Sequence, residues 1–216
     1  MKKYDVFVFE LCHGNISKEG GLTGFTLSRS ESISICGQLL QGLIQLENSN
    51  SCHNDLKPQN VLFNNDRAGN FKIRISDFGQ AGRSGGTPGW TWPKFLKERE
   101  AGKGDVYSVA LLILYVMSDD REVFYRIRNN YVVYRGQQCL SDLRNHPFFK
   151  LIIDMMKLKV TPQQALFRWK RISDHVQIIT KEFLWQKFRV DSCYLRVQDG
   201  MDTFKPNLAS VSLLDR

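Results

Sequence analysis

The chain has 216 residues, which suits one domain or one domain with a short extension. Its hydrophobic fraction of 42% and aromatic fraction of 12% exclude a disordered or low-complexity protein, because such a chain can bury a substantial core. The formal net charge is +8, but no block of Lys and Arg is dense enough to predict a nucleic-acid partner. We interpret the charge as a solvated basic surface.

The cysteine pattern and the hydropathy pattern both favour an intracellular setting. Five cysteines are odd in number and contain no C-x-x-C pair, so neither a zinc site nor a disulfide framework is indicated. The longest apolar run covers residues 109–117 and is too short to span a bilayer. We expect a soluble cytoplasmic protein with no membrane span and no nucleic-acid partner.

The first part of the chain predicts a strand, a loop and a helix. Residues 4–11 are rich in Val and Phe and predict a buried strand that stops near Gly14. Residues 14–31 are rich in Gly, Ser and Thr and predict a loop. Apolar residues then recur at helical spacing, which predicts a helix over 31–47 with a serine, such as Ser30, available as its cap.

Two short strands and several helices are predicted further along. Residues 60–63 and 71–75 form a predicted hairpin, because turn residues separate them and the second run alternates apolar with basic residues. Residues 80–92 contain four glycines and predict an irregular segment. Residues 105–117 are apolar almost all round and predict a buried helix. Further helices are predicted over 151–158, 162–172 and 176–188.

The predicted hairpin collects groups that suit phosphoryl transfer. Asp55 provides a carboxylate that could orient a nucleophilic hydroxyl and take its proton. Lys57 lies two residues later in an extended loop and provides a cation for a phosphate. Asn60 and Asp77 lie at the two ends of the hairpin and provide oxygen ligands for Mg²⁺.

The order of these residues resembles the protein kinase family. Residues 53–60 read His-Asn-Asp-Leu-Lys-Pro-Gln-Asn, and residues 77–79 read Asp-Phe-Gly, like the family's catalytic loop and metal-binding triplet. The resemblance covers residues 4–172 and implies an α+β fold, mainly helical with a few short strands. Lys57 is the residue typical of serine/threonine kinases. The implied reaction is transfer of the ATP γ-phosphoryl group to a protein Ser or Thr, with Mg²⁺.

The resemblance also assigns residues outside the catalytic loop. It implies that Glu10 and Cys12 belong to the hinge that binds adenine, and that Leu62 packs beneath the ring. It implies that Thr87 bridges Lys57 and Asp55. The helix residue Asp105 is similar to the family's aspartate that binds the backbone of the catalytic loop. On this basis we expect the last strand of the N-terminal lobe and the hinge over 1–14, the C-terminal lobe over 15–172, and a tail of unknown role over 173–216.

Several departures from the family's pattern leave a second function open. Only 52 residues precede His53, so we expect the N-terminal lobe to be largely absent. Asn54 replaces the usual arginine, and because a neutral amide cannot pair with a phosphorylated loop, we expect no switching by phosphorylation of the loop. Lys94 replaces a glutamate, and its nearest partner by position is Lys159. The alternative is therefore an inactive kinase-like binding module in which a partner covers Phe78.

Two further readings are less well supported. A small-molecule kinase would share the loop containing Asp55, but Lys57, Phe78 and the Gly-Thr-Pro stretch at residues 86–88 argue against it. Nucleic-acid binding would rest on the net charge alone.

Overall fold

The computed structural model describes residues 8–17, 27–65, 70–83, 85–92, 103–118, 124 and 146–179. Within these ranges the chain forms four α-helices and one three-stranded antiparallel sheet. The helices are α1 (Arg29–Asn48), α2 (Lys103–Met117), α3 (Pro147–Met156) and α4 (Pro162–Ile172). The strands are β1 (Gly14–Asn15), β2 (Val61–Asn65) and β3 (Phe71–Ile75). The predicted mainly helical fold with a few short strands agrees with this arrangement.

Helix α1 begins two residues earlier than predicted, because Ser28 rather than Ser30 is its cap. The Ser28 hydroxyl accepts a hydrogen bond from the Glu31 backbone N–H, and the Glu31 carboxylate accepts one from the Ser28 N–H at 2.6 Å. This reciprocal capping box satisfies two N–H groups that a helix start would otherwise leave unpaired. The inward face of α1, which includes Leu39 and Leu40, is fully buried.

Helix α2 lies in the middle of the helical layer, as its apolar sequence predicted. All residues from Gly104 to Met117 are buried, and the helix packs against both α1 and α3. A helix surrounded in this way has no solvent face and therefore no apolar stripe. The one acidic residue in its first turn, Asp105, is only 2% exposed.

The two helices that follow α2 differ in how well the sequence located them. Helix α4 has the predicted bounds, since Thr161 caps it, Pro162 occupies its first turn and Gln164 completes a capping box. Helix α3 covers 147–156 rather than 151–158, because Pro147 starts it four residues earlier. Leu158 has a positive φ of 54° and lies beyond the helix end.

The sheet contains a strand where the sequence predicted a loop. Strand β1 pairs with β2 through Gly14 opposite Phe63 and Asn15 opposite Leu62, and β2 pairs with β3 along its whole length. The predicted strand over 4–11 is wrong for residues 8–11, which form no regular element, and residues 4–7 lie outside the described ranges. The predicted β2–β3 hairpin is present.

Residues 173–179 pack against the helices instead of continuing as one. Ser173–His175 form a single 3₁₀ turn, and the chain then runs extended to Ile179, which pairs with Ser118. Arg29 donates hydrogen bonds to the backbone carbonyls of Asp174 and Val176 at 2.5 and 2.7 Å. The helix predicted over 176–188 is therefore wrong at 176–179, and its remainder lies outside the described residues.

Candidate active site

The backbone of residues 53–55 is fixed by a buried carboxylate from α2. Asp105 accepts hydrogen bonds from the His53 N–H at 2.7 Å and from the Asn54 N–H at 2.9 Å, one on each oxygen. Burial raises the pKa of Asp105, and the two N–H bonds lower it by less. The fork ties the loop to α2, which is buried from Gly104 to Met117, and so fixes the loop to the core. The sequence had predicted this contact.

Asp55 lies at the centre of a dense hydrogen-bond network. Its Oδ1 accepts from the Thr87 N–H at 2.8 Å and from the Thr87 hydroxyl at 2.7 Å. Its Oδ2 accepts from Lys57 Nζ at 2.7 Å, and Lys57 also donates to Thr87 Oγ1 at 2.8 Å. The three side chains therefore form a closed triangle, with Thr87 bridging the other two as predicted.

The network keeps Asp55 ionised. Burial raises the pKa of the Asp55 carboxyl, but the hydrogen bonds from Lys57 and Thr87 and the charge of Lys57 together outweigh it, so the net pKa lies below the ordinary value. The Asp55 side chain is 10% exposed, so it is not completely covered. An ionised and immobilised carboxylate can accept a proton from a hydroxyl placed beside it.

Asn60 connects this network to the strand that leads to Asp77. Asn60 ends the 3₁₀ turn Pro58–Asn60, and its Nδ2 donates to the Asp55 backbone carbonyl at 2.9 Å and, more weakly, to Asp55 Oδ2 at 3.4 Å. The Asn60 backbone carbonyl accepts from the Ser76 N–H at 2.9 Å and from the Ser76 hydroxyl. Ser76, the residue immediately before Asp77, is therefore held against Asn60. The amino-acid sequence did not predict this contact.

The Asp-Phe-Gly triplet forms a turn beside the catalytic loop. Asp77 has a left-handed backbone, with φ 63° and ψ 69°, and its Oδ1 accepts from the Gly79 N–H at 3.3 Å. The Phe78 ring lies 4.8 Å from the His53 ring, and His53 Nε2 lies 2.8 Å from the Ser76 carbonyl oxygen. Phe78 nevertheless remains 47% exposed. The turn is thus packed on its inner side and open on its outer side.

The donor set near the hairpin fits a hard cation. The Nδ2 of Asn60 faces Asp55, which leaves its Oδ1 for a cation, and Asp77 adds an exposed carboxylate. Carboxylate and amide oxygens are suitable ligands for Mg²⁺, which keeps several waters when it binds few protein groups. The described residues contain no cluster of three His, Cys, Asp or Glu side chains that could hold a metal. The set therefore suits a cation shared with a phosphate better than a closed protein site.

The predicted hinge residues lie at the edge of the sheet. Glu10 contacts Arg74 Nε at 3.3 Å and accepts from Asn64 Nδ2 at 3.1 Å, so its side chain anchors the segment to β2 and β3. Cys12 is partly buried and has a free thiol, whose Sγ lies 3.8 Å from the Glu10 carbonyl oxygen. Leu62 is half-buried and alternates with the buried Val61 and Phe63, so it lies on the other face of β2.

The segment that follows the triplet is anchored at both ends. Near its start, the buried Asn54 amide bonds two backbone carbonyls, a role that sequence reasoning missed. At its end, Trp90 is buried and its carbonyl accepts from Ser108 Oγ at 2.8 Å. Lys94 lies outside the described residues, so its expected repulsion with Lys159 has no structural account; Lys159 itself is exposed.

An ion pair that the sequence did not suggest joins α3 to α4. Arg168 Nη1 and Asp154 Oδ2 lie 2.8 Å apart, and both side chains are partly buried.

No helix among the described residues combines the length and apolar character needed to cross a membrane.

Comparison with known proteins agrees with the geometry of this site. A family model described as "Protein kinase domain" matches residues 1–188. The human serine/threonine-protein kinase/endoribonuclease IRE2 is 24% identical over 223 residues, which cover 93% of this chain and 23% of that protein. The liver/testis isoform of the phosphorylase b kinase gamma catalytic chain from Bos taurus is 32% identical over 166 residues, 65% of this chain and 40% of that protein.

A third relative covers less of the chain. The calcium/calmodulin-dependent protein kinase type 1 of Caenorhabditis briggsae is 29% identical over 133 residues, 57% of this chain and 37% of that protein. The chain therefore spans well under half the length of these curated relatives.

Proposed function

Because this chain belongs to the protein kinase family, we propose that it transfers the γ-phosphoryl group of ATP to a Ser or Thr hydroxyl of a protein substrate. The observation that carries this proposal is the closed triangle of Asp55, Lys57 and Thr87. A carboxylate, a cation and a hydroxyl are held within hydrogen-bond distance of one another. These are the groups needed to orient a hydroxyl and to balance charge on the group it attacks.

Asp55 acts as the base in this proposal. A carboxylate offers about four lone-pair positions, and the observed bonds from Thr87, Lys57 and Asn60 occupy all four. The contact with Asn60 Nδ2 is the longest at 3.4 Å, so it is the one that a substrate hydroxyl replaces at least cost. The incoming hydroxyl would then donate its proton to Oδ2, beside Lys57.

Lys57 and Asn60 supply the remaining electrostatics on this side. Lys57 is 22% exposed, so its ammonium can contact a phosphate oxygen while it still bonds Asp55. Asn60 Oδ1 and the Asp77 carboxylate are the residues that would hold Mg²⁺. The ion, when bound, would offset the negative charge of the phosphate groups. The Glu10 and Cys12 backbones and the Leu62 side chain would bind the adenine.

Phosphate transfer by the full chain tests this proposal. Purified protein is incubated with labelled ATP, Mg²⁺ and a mixture of protein substrates, and the phosphorylated residue types are identified. We expect label on Ser and Thr, and a fall in rate of about 100-fold or more for Asp55→Asn, because a positioned base contributes at least that much. Lys57→Met is expected to lower kcat as well.

Matched substitutions elsewhere separate chemistry from stability. Asp174→Asn and Lys159→Met change the same residue types at exposed positions, and both are expected to keep the wild-type rate within about twofold. Nucleotide binding with and without Mg²⁺ is measured in Asp77→Ala, which is expected to lose the Mg²⁺-dependent part. Full activity in Asp55→Asn, or label on no hydroxyl residue, would refute the proposed function.

A second candidate is a binding module without catalysis, and the exposed apolar side chains favour it. Val8 and Leu11 are each 92% exposed, and Phe78 is 47% exposed. Exposed apolar surface of this kind is typical of a contact with another protein. If the full chain binds ATP with Mg²⁺ but transfers no phosphate, and if Leu11→Ser reduces self-association in sedimentation, then the binding function replaces the enzymatic one.

A further inference from the structure

Asn54 occupies an unusual backbone position in the catalytic loop. Its φ is 66°, in the left-handed region, and the residue is only 4% exposed. Asn adopts this region at lower cost than most residues other than Gly, because its short polar side chain can bond locally. The side chain here does more than bond locally, since it reaches residues 26 and 29 positions further along the chain.

The Asn54 amide donates to the backbone of the segment that follows the Asp-Phe-Gly triplet. Nδ2 lies 2.9 Å from the Arg83 carbonyl oxygen and 3.2 Å from the Gln80 carbonyl oxygen, and 3.2 Å from Cys52 Sγ. Three acceptors surround this nitrogen, so the opposite orientation of the amide would place its one oxygen against two carbonyl oxygens. Oδ1 is buried and has no hydrogen-bond partner in the described part of the chain.

The backbone of Asn54 adds a third contact with the same segment. A Cβ atom built on Gly86 would lie 2.5 Å from the Asn54 carbonyl oxygen, and Gly86 has a φ of 118°. Only glycine at position 86 allows the two backbone segments to approach this closely. The Asn54 N–H meanwhile bonds Asp105, so the residue links the segment to α2 as well.

We propose that Asn54 is a positioning residue that holds the backbone at Gln80, Arg83 and Gly86 so that Thr87 reaches Asp55. The clamp consists of neutral groups, namely one amide and two backbone carbonyls, so it holds the segment without a phosphate or any other charge on it. The inference rests on the proposed function for its effect on catalysis, but the clamp itself is a property of the fold. Asn54 does not contact the reacting atoms; it acts through Thr87.

Asn54→Asp isolates the amide, because it keeps the shape of the side chain and removes both N–H donors. At about pH 8 the introduced carboxylate would face the carbonyls of Gln80 and Arg83, which repel it. Burial and this lack of donors raise the pKa of the introduced carboxyl. Protonation at about pH 6 would restore one O–H donor.

The other titratable groups around position 54 are not expected to lower the pKa of the introduced carboxyl. Cys52 offers a thiol, and Asp105 bonds the Asn54 and His53 N–H groups from α2. Asp55, the next residue, has a lowered pKa and stays ionised throughout this pH range. The Arg83 side chain is exposed, and its backbone carbonyl is the group that faces the amide. The carboxylates at positions 55 and 105 oppose ionisation of the introduced group.

The experiment compares turnover by wild type, Asn54→Asp and Asn54→Gly. The control is Asn50→Asp, because Asn50 also has a positive φ, 47°, but is exposed. At about pH 8 we expect kcat/KM for the protein substrate to fall about tenfold or more in both Asn54 variants, as the loss of buried hydrogen bonds predicts. KM for ATP is expected to stay within about twofold. Lowering the pH to about 6 is expected to restore part of the loss in Asn54→Asp alone, relative to wild type.

Hydrogen exchange of residues 80–92 gives a readout that does not need activity. Faster exchange there in Asn54→Asp than in Asn50→Asp, with unchanged exchange in α1, supports the clamp even if the wild-type chain transfers no phosphate. In that case the proposed function fails and the positioning role stands. Unchanged exchange and unchanged kcat/KM in Asn54→Gly would overturn the inference. If Asn54→Asp does not fold, Asn54→Gly, which keeps the positive φ, decides the question by the same two measurements.

Discussion

Asp105→Asn alters a single atom of the fork that joins the catalytic loop to α2. The carboxylate accepts the N–H groups of His53 and Asn54 on separate oxygens, and asparagine can accept only one of them. Its amide nitrogen would then point at the remaining backbone N–H, donor against donor. The substitution preserves side-chain volume, so packing terms change little and the polar term dominates the result.

The size of the effect follows from the burial of Asp105, which is 2% exposed. The substitution removes one hydrogen bond to a charged group and leaves one buried N–H without a partner, and these two effects together cost about 3 kcal/mol. Removal of a buried charge offsets part of this cost, since burial raises the pKa of Asp105 and so disfavours its ionised form. We therefore expect the free energy of unfolding to fall by about 2 kcal/mol.

Urea denaturation of the full chain at neutral pH measures this difference. Asp174→Asn is the matched control, because its side chain is exposed, and it is expected to change the free energy of unfolding by less than about 0.5 kcal/mol. Asp105→Ala, which leaves both N–H groups unpaired, is expected to cost about twice as much as Asp105→Asn. Equal midpoints and equal slopes for wild type and Asp105→Asn would refute this account of the fork.

Three further predictions concern other parts of the site and the fold. Gly86→Ala is expected to destabilise the chain by about 2 kcal/mol or more, because the added methyl meets the Asn54 carbonyl and the backbone is left strained. The pKa of Asp55 is lower in the folded chain than its ordinary value of about 3.9. The stability that the ionised Asp55 contributes is therefore fully present above about pH 3.9 and is lost as the pH falls through the lowered folded pKa. For the same reason, kcat is expected to show no loss from protonation of Asp55 between about pH 5 and 8. Arg29→Ala is expected to cost about 1–2 kcal/mol, because it removes two hydrogen bonds that hold the Val176 segment.

Each of these has a measurement and a contrary outcome. Thermal melting of Gly86→Ala is compared with Gly82→Ala, whose added methyl meets nothing within 4 Å although its φ of 70° is also positive; equal melting temperatures would contradict the steric argument. A pH–rate profile with an acid limb near pH 6 that disappears in Asp55→Asn would contradict the sign of the pKa shift. Urea denaturation of Arg29→Ala is compared with Arg83→Ala at an exposed position, and equal loss in both would show that the Arg29 bonds contribute nothing.

The sequence located those helices whose ends carry strong local signals. Helix α4 was predicted to the residue, because Thr161 and Pro162 mark its start through side-chain capping and a fixed φ. Helix α1 was predicted to start at residue 31, after Ser30, whereas its start at Arg29 depends on the reciprocal bond between Ser28 and Glu31. The two-residue strand β1 has no pattern of its own, since only pairing with β2 defines it.

The same distinction holds for the candidate site. The triangle of Asp55, Lys57 and Thr87 and the fork of Asp105 were predicted by resemblance, because each residue lies in a recognisable string. The contacts of Ser76 and the Asn54 amide were not predicted, since they join a side chain or backbone group to a distant carbonyl. Any residue supplies a backbone carbonyl, so such a partner leaves no trace in the amino-acid pattern.

The burial of α2 on every side has a consequence for how this protein tolerates substitution. In an amphipathic helix such as α4, a scan of every position alternates between tolerant and intolerant residues with a period near 3.6. From Gly104 to Met117 no position faces solvent, so a scan of polar substitutions along α2 should give a flat, uniformly intolerant profile. At the apolar positions of α2, variation that survives selection is thereby confined to exchanges among apolar residues of similar volume.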